Sequence, residues 1–265
     1  MLPHATTHLR PIDSPDEIGY TIKVRILLTA DLHFKEDWYR WLIERQAEFD
    51  LICIAGDLLD MFSPVPLLDQ IEIVTLRLRA ISETTAVAVS SGNHDAVPPR
   101  SEPTWYWFKD LTSSNILSDG QSRLFGDLLV TTVPWPPSES TAWALLEAVR
   151  AENPPFSKWL LLVHDVGRLE DAANQMCKLI IEFAPNYVIA GHSHTLPYTS
   201  GSWFQILHET VIFTPGQLMT APWPNHVLVD LATGKAEWQT FARAVNLPEV
   251  LREEEILRGT GRPRI

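Results

Sequence analysis

The chain is short of cysteine, of basic residues and of long apolar runs, and each shortage excludes something. Two cysteines among 265 residues cannot build a disulfide framework, and neither lies near a motif, which rules out thiolate coordination of a metal. Cys53 falls in a strand-like apolar run and Cys177 on the apolar side of a helical pattern. Both are expected as buried free thiols, and nothing requires an oxidising compartment. No apolar stretch approaches the ~20 residues of a membrane span. Residues 1–20, with Pro3, Pro11, Asp13, Pro15, Asp16 and Glu17, lack the apolar core of a secretory signal. The expectation is a soluble, cytoplasmic protein with 1–20 as a loosely ordered extension and no membrane partner. Lys and Arg number 21 against 33 Asp and Glu, a formal net charge of -12. A field of that sign repels a polyanion except where local charge reverses it.

What is present is a steady alternation of strand-like and helix-like segments, with hydrophobic residues at 45%, enough for one large core over 21–245. Strands are expected at 22–29, 51–55, 86–89, 128–133, 159–163 and 187–190. Helices are expected at 37–48, from Ser63-Pro64 onward, at 138–151 and at 168–183. Later strands are expected at 203–207, 211–214, 226–230 and 237–241. Residues 246–265 read as a polar tail carrying Arg258, Arg262 and Arg264.

Polar residues able to bind metal follow one expected strand after another: Asp31 and His33, Asp57, Asn93 with His94, His164, then His192 and His194. Singly, each reads equally well as a turn residue or a hydrogen-bonded histidine. Together they gather at strand C-terminal ends, where open α/β sheets bind ligands. Burying so many polar groups is costly unless something pairs them, and a metal centre is such a partner. Imidazole, carboxylate and one amide oxygen suit Zn, Fe, Mn, Co or Ni better than Ca. The candidates outnumber what one ion needs once a position is left open for catalysis, so two ions sharing a carboxylate fit better.

The ordered set Asp31-Leu32-His33, Gly56-Asp57-Leu58-Leu59, Gly92-Asn93-His94-Asp95, His164 and Gly191-His192-Ser193-His194 resembles the signature of the calcineurin-like metallophosphoesterases. The resemblance implies an α/β fold, a four-layer α/β/β/α sandwich of two mixed sheets, with a dinuclear metal site at the strand C-terminal ends. It implies that Asp31, His33 and His194 hold one divalent ion, that Asn93, His164 and His192 hold the second, and that Asp57 bridges them. Manganese is the first expectation for the metal, with iron, zinc, nickel and cobalt as alternatives. A hydroxide shared by the ions would attack phosphorus in line. His94 would protonate the leaving group, with Asp95 fixing its orientation.

The expected substrate is a phosphoester, a phosphodiester first, with short or single-stranded nucleic acid among the candidates although the net charge does not favour it. A small-molecule phosphomonoesterase or nucleotide hydrolase is the alternative, and a non-catalytic metal-binding scaffold is a third. The run from His164 to His194, then Thr214-Pro215-Gly216 and 226–231, is similar in layout to the nuclease subunits of double-strand-break repair complexes. Residues 242–265 are too few for the DNA-capping and partner-binding regions those proteins carry. Trp135, Trp223 and His226 on Pro-rich loops, and the aromatic run Trp105 to Phe108, either wall a cleft or pack in the core. Arg100 reads as a phosphate clamp or a plain surface residue.

Overall fold

The computed structural model describes residues 25–97, 105–111, 113–136, 139–152, 155–169, 171, 173–241 and 243–246. The extension at 1–20, Arg100 and the arginines of the tail lie outside them. The elements run β1 (Arg25–Thr29), α1 (Glu36–Arg45), β2 (Leu51–Ala55), α2 (Leu67–Ser82), β3 (Ala86–Ser90), α3 (Trp107–Leu111), β4 (Ile116–Leu117), β5 (Ser122–Phe125) and β6 (Leu128–Thr132). Then follow α4 (Glu139–Glu152), β7 (Lys158–Leu162), α5 (Gln175–Phe183), β8 (Tyr187–Ile189), α6 (Leu196–Ser200), β9 (Phe204–Leu207), β10 (Thr210–Phe213), β11 (His226–Asp230), β12 (Lys235–Thr240) and β13 (Arg243–Asn246).

These strands form two mixed sheets, one ordered β13-β12-β11-β1-β2-β3-β4 and the other β5-β6-β7-β8-β10-β9. The period-2 alternation of a strand decides what each face meets. Ile26 and Leu28 of β1, with Leu51 and Cys53 of β2, point between the sheets, where they meet Val130, Leu160, Leu162, Ile189 and Phe213 of the second sheet. The intervening Leu27, Ile52 and Ile54 point outward onto Trp38, Leu42, Val74 and Leu78 of α1 and α2. On the far side Leu129, Leu161 and Val188 pack against Leu146, Leu179 and Ile180 of α4 and α5. Helix, sheet, sheet and helix are therefore stacked as four layers. The parallel strands β1, β2 and β3 are buried almost throughout, as strands covered on both faces must be.

Two helices start later than their sequence pattern suggests. The Ser63-Pro64 start expected for α2 is displaced to Leu67, because the fully buried Gln70 side chain fastens the preceding residues as a loop. Its Nε2 donates to the carbonyls of Asp60 (3.0 Å) and Val65 (2.7 Å), and its Oε1 accepts from Asp60 N–H (2.9 Å). Similarly, α5 begins at Gln175, where the Asn174 side chain accepts from the N–H groups of Met176 and Cys177. The strand-rich last third forms no separate unit: β11 pairs antiparallel with β1 and extends the first sheet. Of the aromatic run, Trp107 and Phe108 are core residues, and Trp105 donates its indole N–H to Gly92 O. Among the described residues no helix is long and apolar enough to cross a membrane.

Candidate metal centre

The loops that follow β1, β2, β3, β7 and β8 meet at one edge of the sandwich, laced by backbone bonds. Asp31 N–H donates to Gly56 O, His33 N–H to Asp57 O and Gly191 N–H to His164 O, each at 2.9–3.0 Å. Asp31, His33, Asp57 and His192 all sit in the left-handed region, at φ of 55°, 42°, 52° and 64°. Asp and His tolerate that region better than most residues, at a cost of about 1 kcal/mol each. The loops also approach very closely. A Cβ on Gly92 would lie 2.2 Å from Asp57 Oδ1, so only glycine fits there.

The side chains so placed converge in two groups. In one, His33 Nε2 lies 2.9 Å from His194 Nε2, His194 Nε2 lies 3.6 Å from Asp31 Oδ1, and His33 Nε2 lies 3.7 Å from Asp57 Oδ2. In the other, Asn93 Oδ1 is 2.9 Å from both His164 Nε2 and His192 Nδ1, and Asp57 Oδ1 is 3.4 Å from His164 Nε2. Asp57 thus shows one oxygen to each group. Two imidazole nitrogens at 2.9 Å need a proton or a cation between them, and the buried Asp31 Oδ2 has no hydrogen-bond partner. An oxygen so placed costs stability unless a cation meets it. The donor set of carboxylate, imidazole and amide oxygen fits divalent transition metals.

Supporting contacts hold these groups in place. His164 Nδ1 is 3.0 Å from Ala55 O, which turns Nε2 into the cluster. Asp31 Oδ1 accepts from His192 N–H, and Asp57 Oδ1 accepts from His94 N–H, both at 2.8 Å. Trp135 stands against the second group, its ring stacked on His192 at 6.1 Å and edge-on to His164 at 5.4 Å. It is therefore a wall of the site. Trp223 is half-buried and packs on the exposed Phe241, whereas His226 is buried between Pro224 O and Gln239 and serves the core.

A family model described as calcineurin-like phosphoesterase matches residues 24–196, a span that contains this whole cluster. The chain belongs to that family. As a calcineurin-like phosphoesterase it is a hydrolase acting on phosphoric esters, and its Asp/His cluster is a place for the divalent ions such hydrolysis uses. Among solved structures it is similar to the protein TT1561 of Thermus thermophilus, with a TM-score of 0.62, 16% identity, and coverage of 82% of this chain and 99% of that one. Likeness at that identity is one of fold. It also aligns with Yfce, a phosphoesterase from E. coli, at a TM-score of 0.44 and 14% identity over 84% of this chain and 98% of that one. No curated protein sequence matches it.

Two residues of this phosphoesterase that sequence reasoning passed over belong to the site. The adjacency of His94 and Asp95 predicts that the second orients the first. Instead, Asp95 is fully buried, and its two oxygens accept from Leu59 N–H and Gly92 N–H at 2.8 Å. It braces the β2 and β3 loops against each other, and burial together with the charge of Asp57 pushes its carboxyl well above the usual range. The carboxylate facing the His94 ring is that of Asp60, with Oδ1 3.8 Å from Nδ1. Gln217 is the second. Its N–H donates to His194 O (2.9 Å) and its side chain to Ala30 O (2.6 Å), so it ties the residue before Asp31 to the loop of His194. A polar residue directly after Pro215-Gly216 was the only signal for it in the sequence.

The charges explain how the site handles protons. Burial alone would lower the pKa of His164, but Asp57, Asp31 and the Ala55 carbonyl outweigh it and raise the value to about 9. His194 is also raised, by Asp31, whereas burial lowers His33. A ligating imidazole must be neutral, so if His164 holds an ion, binding would expel its proton. Metal affinity is therefore expected to rise roughly tenfold per pH unit from neutrality and to level off above the His164 pKa of about 9. Calorimetric titration in buffers of different ionisation enthalpy measures the released proton. An affinity independent of pH over that window would refute the protonated His164.

Proposed function

We propose that this calcineurin-like phosphoesterase is a two-metal phosphodiesterase. Asp31, His33 and His194 hold one divalent ion, Asn93, His164 and His192 hold the other, and Asp57 serves both. Manganese is the first ion to test, followed by iron, zinc, nickel and cobalt. When bound, the ions neutralise phosphoryl oxygens and acidify the attacking water. His94 supplies the proton that the leaving oxygen needs. With Nδ1 turned to Asp60, Nε2 is the nitrogen available for that transfer.

The observation that carries this reading is the convergence of both donor groups on Asp57, beside a buried Asp31 oxygen that has no other partner. The preference for a diester rests on layout: residues 164–194, then Thr214-Pro215-Gly216 and 226–231, resemble in arrangement the nuclease subunits of double-strand-break repair complexes, which act on diesters. Nucleic acid enters as a short or single-stranded substrate, since a net charge of -12 opposes long polyanions.

The test is a metal-loaded activity panel comparing para-nitrophenyl phosphate, its bis-ester, cyclic nucleotides and single-stranded DNA. Faster turnover of diesters is expected. Preference for the mono-ester would replace the diesterase reading with a phosphomonoesterase. Uptake of Mn, Zn, Fe or Ni without turnover of any of these esters would point to the non-catalytic scaffold.

A further inference from the structure

Phe62 is 81% exposed, and among the described residues no large apolar side chain is more so. Loose attachment does not account for it. Asp60 Oδ1 accepts from Phe62 N–H at 2.9 Å, Asp60 O accepts from Ser63 N–H at 3.1 Å, and Ser63 Oγ accepts from Val65 N–H at 3.2 Å. Gln70, itself fully buried, fastens Asp60 and Val65 from below. The phenyl ring is thus held out into solvent on a braced loop. It meets the His94 ring edge to face, with centroids 5.4 Å apart and planes at 76°. On its other side His94 meets His33 at 4.4 Å. The order His33, His94, Phe62 therefore runs outward from the metal ligands to an apolar surface.

We propose that Phe62 is a specificity-determining residue, a platform on which a flat aromatic part of the leaving group stacks while its oxygen lies at His94. The inference rests on the phosphodiesterase reading above. In the reaction, the bond from phosphorus to the leaving oxygen breaks and a bond from phosphorus to the water oxygen forms. The leaving oxygen takes a proton from His94, which regains one from solvent, where the water's proton is released. The leaving oxygen must come within about 3 Å of the His94 nitrogen, so the group it carries emerges beside Phe62. A phenyl ring offers no hydrogen bond. It favours a flat, apolar partner, a nucleobase or an aryl group, through stacking. Trp135, stacked on His192 at the opposite end of the cluster, leaves the two arms of a diester on aromatic surfaces of different loops.

The experiment uses the metal-loaded protein and three ligand pairs. A dinucleoside phosphorothioate is compared with its analogue abasic on the leaving side, an aryl methyl phosphorothioate with the dimethyl compound, and the matching phosphate diesters are followed for turnover. Wild type is expected to bind the base- or aryl-bearing member about tenfold more tightly. Phe62→Ala abolishes that difference and Phe62→Trp restores it. Gain from the base but not the aryl group, or the reverse, assigns the source of the ring. Equal weakening of both members of a pair by Phe62→Ala overturns the platform even if turnover of diesters stands. Phe62-dependent binding without turnover of any diester keeps the platform and overturns the phosphodiesterase reading instead.

Discussion

Asp57→Asn is expected to lose both metal ions together, with diester turnover falling by about a thousandfold or more. Loss of one preorganised electrostatic partner typically costs about 10²–10³ in rate, and in the proposed assignment Asp57 serves two ions. Its Oδ2 faces His33 at 3.7 Å and its Oδ1 faces His164 at 3.4 Å. Asparagine keeps the shape. If its oxygen retains the bond that Asp57 Oδ1 accepts from His94 N–H, its NH₂ group, a donor, is left facing the His33 side. One group of ligands loses a charge and the other meets a donor where a cation should sit. The check is metal per protein by elemental analysis, paired with calorimetric titration of the depleted variant. Retention of one full equivalent would place the shared carboxylate elsewhere, with Asp31 as the next candidate.

His94→Ala is expected to behave oppositely, with metal content unchanged and turnover selectively impaired. General acid catalysis contributes about 10²–10⁴ in rate. That loss should appear in full with an alkoxide leaving group, which cannot depart without a proton. It should nearly vanish with para-nitrophenolate, which can. Steady-state kcat for the two diester classes gives the contrast. The sign of the contrast matters more than its size, because a variant that slows both classes alike has disturbed the ions rather than removed an acid. His94 takes no part in the short contacts between ligand nitrogens, and its backbone N–H, which binds Asp57, survives the substitution.

The strand ends were legible in the sequence because β1, β2 and β3 are short apolar runs interrupted abruptly by polar residues, a pattern set by burial on both faces. The gathering of Asp31, Asp57, Asn93, His164 and the two later histidines at one edge follows from parallel strands that all end on the same side. Asp60 was not legible. Its role depends on a loop that Gln70 closes ten residues later, and the apolar spacing of α2 gave no hint that Ser63-Pro64 would stay outside the helix. Gln217 escaped for a similar reason, since its partners Ala30 and His194 are remote in the chain. The half-buried strand β5, which reads Ser-Arg-Leu-Phe, carries too weak an alternation to stand out. Asp95 looked like the partner of His94 because the two are adjacent, yet in the short helical turn of Asn93–Asp95 neighbouring side chains diverge.

The proposed ligands are divided between the two sheets: Asp31, His33, Asp57 and Asn93 follow strands of the first, while His164, His192 and His194 follow strands of the second. The spacing between ions held this way would therefore be inherited from how closely two separate sheets stack. At that end the stacking is tight, since a Cβ on Gly56 would lie 2.3 Å from His164 Nδ1, and one on Gly191 would lie 2.7 Å from Ala30 Cβ and 2.8 Å from Ala55 O. A larger side chain at Ala30 or Ala55 would act as a wedge, parting the ligand sets without touching a ligand. Ions bound across the seam would in turn fasten one sheet to the other, and the centre that cleaves the ester would double as a rivet in the architecture.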